Sequence, residues 1–143
     1  MTTMILLGLL GAVIAAVIGT IWYSMATPMG KWHMQYLGFD KLTPEEQKQK
    51  MQEAKPQMPK LYGAQLLMSF MTSLFIISVA SNVGSMVYGY ILMIWAAFVI
   101  PLVGSSLLWS NCDRGLVWKK FFSDILCNLV TYLVIAYVVL LII

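Results

Sequence analysis

The sequence predicts an all-α membrane protein with four transmembrane helices in one bundle and short cytoplasmic helices between the first two. Three observations carry that prediction. Of 143 residues, 60% are hydrophobic and only 10% charged, whereas soluble domains carry about 25% charged residues. Four apolar windows, residues 4–24, 61–82, 86–109 and 119–142, each reach the roughly 20 residues a helix needs to cross about 30 Å of hydrocarbon. All nine Lys and Arg fall in two segments, 25–60 and 110–120, between those windows or at the very start of the last.

The length suits a single domain, 1–143, with 25–60 as a helical insert within it. A net charge of +3 in a soluble chain would raise nucleic acid as a partner. Here the basic residues flank apolar windows, so membrane lipid is the expected partner and nucleic acid is not.

The first window begins at Met4 with no preceding Lys or Arg, so the basic start of a signal peptide is missing and a retained helix is expected. It carries two stripes of small residues, Gly8-Ala12-Ala16 and Gly11-Ala15-Gly19. In lipid, helices associate through close backbone approach, which small residues permit. Packing within the bundle accounts for one stripe. The other suggests a homo-oligomer, for which closed symmetry makes a homodimer the default.

The insert reads as two short helices. MGKWHMQYLG places Met29, Trp32 or His33, and Tyr36 on one stripe, stopped by Gly38, as an interfacial helix would. TPEEQKQKMQEAKP offers Thr43 as a cap, Pro44 at the first helical position, Glu46 to complete a capping box and Pro56 as a stop. With only Met51 and Ala54 apolar, this second helix belongs in water.

Val83-Gly84-Ser85 alone joins the second and third windows, which implies a tight antiparallel hairpin. Residues 25–60 hold Lys31, Lys41, Lys48, Lys50, Lys55 and Lys60, and residues 110–120 hold Arg114, Lys119 and Lys120. The positive-inside rule makes both segments cytoplasmic and places the termini and the hairpin turn outside. Trp22, Tyr23, Lys31, Trp32, Trp109, Arg114 and Trp118 then mark the inner interface, with Tyr62 beside them and Tyr88 and Tyr90 at the outer one.

Asp124 stands out in an apolar window, where an ionisable group is costly unless functional or compensated. Counted inward from Lys60 and from Lys119 and Lys120, Gln65 lies level with Asp124, Ser69 with Asn128, and Thr72 and Ser73 with Thr131 and Tyr132. Each set follows one helical face. Ser105 and Ser106 follow Pro101 in the same inner half of the third window, where the proline frees a carbonyl and can kink the helix. These groups either line a water-filled path for a cation, proton or small polar solute, or hydrogen-bond between helices. Lys120, one turn before Asp124 and within ion-pair reach, favours compensation.

No catalytic motif emerges, and no metal or cofactor is expected. Cys112 and Cys127 match no metal spacing or disulfide framework and read as reduced, packed thiols. His33, the one histidine, has no partner ligand in sequence. Two stretches, GTIWYSMATPMGKWHMQYLG and LLWSNCDRGLVWKKFFSDILCNLV, resemble the bacterial membrane family known as domain of unknown function 1761. Gly19, Trp22, Tyr23, Ser24, Gly30, Lys31 and Trp32 carry the first resemblance; Arg114, Trp118 and Lys119 carry the second. The resemblance implies a prokaryotic inner-membrane protein and supplies no activity. The expected function is an oligomeric transport or permeation protein, the alternative a structural or scaffold subunit for another membrane protein.

Overall fold

A computed structural model describes residues 2–143, and every regular element among them is helical. The helices are α1 (Thr2–Trp22), α2 (Pro28–Tyr36), α3 (Pro44–Ala54), α4 (Met58–Val83), α5 (Val87–Ile94), α6 (Ile100–Leu108) and α7 (Arg114–Ile142). Three helical stretches are long and apolar enough to cross a membrane: Thr2–Trp22, Met58–Leu108 and Arg114–Ile142.

The middle stretch, 51 residues in all, bends at Gly84. This residue takes φ +55° and ψ −132°, a conformation that side-chain-bearing residues rarely adopt. Past the bend, the chain runs back along α7. Val87 and Ile91 share a core with Ile76, Ile77, Ala80, Ile135, Ala136 and Val139. Further on, the Trp95 indole donates to the Ile125 carbonyl at 2.7 Å. Between α5 and α6, residues Trp95–Val99 form a wider π turn, and the Ile100 amide donates to the Trp95 carbonyl. Pro101 has no N–H to offer the preceding turn, and the wider turn accommodates the gap just before it.

α1 runs antiparallel to α4 and α7. A Cβ on Gly8 would meet Leu74 and Phe70 at 2.8 Å, and one on Gly11 would meet Ser73 Oγ at 2.5 Å. At its other end, the Trp22 indole donates to Ser123 Oγ at 3.1 Å. Much of the outer surface is apolar and exposed, including Leu6, Val17, Met71, Phe75, Met93, Phe98 and Phe122. Such a surface suits hydrocarbon, since water-soluble monomers seldom expose large contiguous apolar patches.

The ends of the elements follow local chemistry. The Thr27 hydroxyl accepts from the Gly30 amide and starts α2, and Gly38, at φ +73°, ends that segment. The capping box at α3 forms in full: the Thr43 amide donates to Glu46 Oε2 at 2.8 Å, and the Glu46 amide to Thr43 Oγ1 at 3.3 Å. α3 buries none of its residues. α7 begins at Arg114, earlier than the window at 119, because Asp113 Oδ1 accepts from the Gly115 and Leu116 amides.

Candidate functional site

The polar chemistry gathers where α1, α2 and α7 meet. α1 ends at Trp22, and a turn tied by the Thr27 hydroxyl donating to the Trp22 carbonyl at 2.6 Å redirects the chain into α2. Gly30 makes that turn possible, since a Cβ there would collide with the Ser24 backbone carbonyl. α2 then lies against the first turns of α7. Cys112 Sγ sits 3.7 Å from the Tyr36 carbonyl, and the Lys119 ammonium lies 5.9 Å from the Trp32 ring centre.

Asp124 sits at the middle of this junction. Its carboxylate binds the Lys120 ammonium through both oxygens, the one side-chain ion pair among the described residues. The Tyr23 hydroxyl donates to Asp124 Oδ1 at 2.5 Å. Lys120 also lies 5.3 Å from the Tyr23 ring centre and 6.0 Å from that of Tyr36, within cation–π range. The His33 ring tilts against Tyr23 with centroids 5.0 Å apart. Its Nδ1 is buried and has no hydrogen-bond partner.

Burial, the bond to Asp124 and the charge of Asp124 hold the Tyr23 phenol well above the ordinary tyrosine range. Tyr23 is therefore a fixed neutral donor. Burial first, and then the Lys120 charge, lower the His33 pKa, while Asp124 opposes the shift. The result is a compact set made of one ion pair, one neutral phenol and one imidazole held in its neutral form.

The polar residues that share a depth in sequence are not joined into one network. Gln65 is exposed on α4, and Ser69 supplies its carbonyl to the Ser73 hydroxyl at 2.7 Å. Thr72 donates to the Met68 carbonyl at 3.0 Å, Ser105 to Leu102 at 3.1 Å, and Ser106 to Val103 at 2.8 Å. Asn128 donates to the Asp124 carbonyl at 2.8 Å and Thr131 to the Cys127 carbonyl at 2.7 Å. The side chains of Thr72, Ser73, Ser105, Ser106, Asn128 and Thr131 are each bonded within their own helix. A shallow cleft of ≈ 290 Å³ between α1 and α4 is lined by Val13, Ala16, Val17, Thr20, Ile21 and Leu66, and none of the polar set borders it.

The small residues divide along α1. Gly8, Gly11 and Ala12 are buried in the bundle, Ala15 and Gly19 are half-buried, and Ala16 is exposed. Both stripes therefore begin inside the bundle rather than lying one in and one out. Among the interfacial residues, Lys31, Arg114 and Trp118 are exposed, Trp109 is 89% exposed, and Trp32 is half-buried beneath Lys119.

Sequence reasoning found the pair Lys120–Asp124 through its one-turn spacing. It missed the arrival of Tyr23 and His33, because each lies about a hundred or ninety residues from Asp124 in the chain. One signal was available: a tyrosine at an interface needs a partner for its hydroxyl. The bond from Trp95 to α7 left no comparable trace.

No curated protein and no solved structure matches the chain. A family model matches residues 7–140, nearly the whole length. The chain accordingly belongs to the family described as protein of unknown function (DUF1761).

Proposed function

We propose that this chain is a non-catalytic, four-span protein of the prokaryotic inner membrane that serves as a structural or scaffold subunit for another membrane protein. The observation that carries this reading is the bonding of its polar side chains within the apolar helices. Thr72, Ser73, Ser105, Asn128 and Thr131 all donate to carbonyls of their own helices. Asp124 is taken up by Lys120 and Tyr23. Groups occupied in this way have partners without water, whereas a permeation path needs groups turned towards water.

The four-span topology follows from length. A straight helix of 51 residues would extend roughly 77 Å, more than twice the hydrocarbon thickness of about 30 Å. Folding at Gly84 gives two passes of ordinary length. With every Lys and Arg in segments 25–60 and 110–120, those segments face the cytoplasm and both termini face out. The water-exposed helix α3 then projects into the cytoplasm, capped and free of core duties, as a contact element for a partner would.

The experiment is crosslinking in native membranes followed by quantitative identification of the products. The scaffold reading expects one heterologous membrane protein in fixed stoichiometry; recovery of the chain crosslinked to itself alone contradicts it.

One observation favours transport as a second reading: Tyr23, His33, Lys120 and Asp124 place several titratable groups together at the inner end of the bundle. Transport predicts that Asp124→Asn abolishes ion or proton flux in proteoliposomes while the protein stays folded. Flux unchanged by that substitution removes Asp124 from any such path.

A further inference from the structure

α2 is docked by one face. Gly30 is buried, six more of its nine residues are half-buried, and side chains make its contacts with α7. Trp32 lies under Lys119, Tyr36 meets Lys120 and Cys112, and His33 packs on Tyr23. This nine-residue helix contributes no residue to the hydrophobic core of the bundle, which places it towards the low end of local stability. A change at a single group can therefore release it.

His33 is the group suited to make that change. It is the chain's one histidine, and histidine alone ordinarily titrates between pH 5 and 8. A neutral imidazole can leave Nδ1 as a bare lone pair, but a protonated one carries N–H donors at both ring nitrogens. Nδ1 is buried without a partner, so the added proton would meet no acceptor.

The surroundings offer the proton no other relief. From α7, the charges of Lys120 and Asp124 act on His33, and Lys119 lies over the neighbouring Trp32; from the end of α1, the Tyr23 ring packs against it. Lys31 and Tyr36 lie on its own helix, Asp40 and Lys41 on the turn packed on α2, and Cys112, in the loop before α7, meets the Tyr36 carbonyl. Asp124 is the carboxylate of the junction, and Lys120 and Tyr23 already occupy it. An imidazolium would sit beside the Lys120 ammonium, with the neutralising charge spent elsewhere.

We propose that α2 is a pH-sensitive cytoplasmic latch, docked on α7 while His33 is neutral and released when His33 takes a proton. The lowered pKa of His33 agrees in sign. The released state binds the proton more readily, so docking is complete above the ordinary histidine value of about 6.5. It is lost as the pH falls through the lower value of the docked state. This inference concerns the docking of α2 and does not depend on the scaffold reading.

The test is hydrogen exchange by mass spectrometry on the full chain in phosphatidylcholine nanodiscs between pH 8 and 5.5. Rates are corrected for intrinsic exchange, with α3 as the internal reference. Protection of α2 should fall below about pH 6.5 by up to tenfold per pH unit, the limit for one proton, while α3 stays level. His33→Gln should keep α2 protected throughout. Unchanged protection in the wild type overturns the latch, and so does a fall in His33→Gln with the same midpoint. If His33→Gln is already undocked at pH 8, an NMR titration of the wild-type imidazole decides. A midpoint below the ordinary value supports the latch, and one at or above it overturns the latch.

Discussion

The Tyr23 hydroxyl donates to the Asp124 carboxylate at 2.5 Å, joining two residues 101 apart in sequence. The bond ties the C-terminal end of α1 to α7 at the same point where Lys120 neutralises the carboxylate. A charge that looks costly in an apolar stretch is thereby placed among its own partners, with the Asp124 side chain 18% exposed. Helix rise puts Asp124 about 15 Å from the start of α7 at Arg114, too far for the helix terminus to act on it. Lys120 and Tyr23 therefore provide the compensation.

Removing one member of this set should cost more than removing the charge pair together. Tyr23→Phe should destabilise the fold by about 1.5–3 kcal/mol, the worth of a hydrogen bond to a charged group. Lys120→Met should cost more, towards the roughly 3–5 kcal/mol found when one side of a buried pair is lost. Lys120→Met combined with Asp124→Leu should recover most of that loss. Reversible unfolding in mixed micelles measures the cycle, and a double variant as unstable as the sum of its parts would show that the pair is not coupled.

Two glycines of α1 should respond in opposite directions. A Cβ at Gly11 overlaps Ser73 Cβ at 2.6 Å as well as its hydroxyl, so Gly11→Ala should cost about 1–3 kcal/mol. Adding Ser73→Gly should restore part of it. Gly19 has nothing within 4 Å of its would-be Cβ, so Gly19→Ala should be neutral or gain up to about 1 kcal/mol in helix propensity. The same unfolding measurement separates them.

The cap of α3 should be pH-dependent. The hydrogen bond from the Thr43 amide, and next the one from its hydroxyl, lower the pKa of Glu46. The unfolded helix end holds its proton at a higher pH than the folded one. The contribution of the cap is thus fully present above the ordinary glutamate value of about 4.3 and is lost as the pH falls through the lowered value. Thr43→Ala should cost about 1 kcal/mol of helix stability and remove most of this dependence. NMR chemical shifts of Pro44–Ala54 across the acid range report both effects.

Much of this architecture is legible in residue order, because apolar length, capping chemistry and one-turn spacings are local. The Thr43–Glu46 box, the stop at Gly38 and the Lys120–Asp124 pair follow from such spacings. Spacing along each helix is also legible, and counted from Lys60 and Lys119 it sets Gln65 level with Asp124. The direction in which a side chain is satisfied is not: Thr72 and Asn128 bond backward along their own helices, a choice that equal spacing leaves open. The convergence of Tyr23, His33 and Asp124 needs the turn at Gly30, whose close approach to the Ser24 carbonyl appears only in three dimensions. The widened turn before Pro101 and the anchor of Trp95 on Ile125 likewise depend on the neighbouring helix.

Asn128 and Thr131 are half-buried and buried on α7, facing protein rather than water. The most direct measurement of this is cysteine accessibility at the two positions. Single Asn128→Cys and Thr131→Cys variants, with Cys112 and Cys127 replaced by alanine, are exposed in inverted membrane vesicles to a charged thiol reagent, with Lys48→Cys as the cytoplasmic control. Labelling should be rapid at 48 and absent at 128 and 131 until the protein is denatured. Labelling of 128 or 131 in the folded protein would reveal a water-filled path from the cytoplasm and contradict this placement.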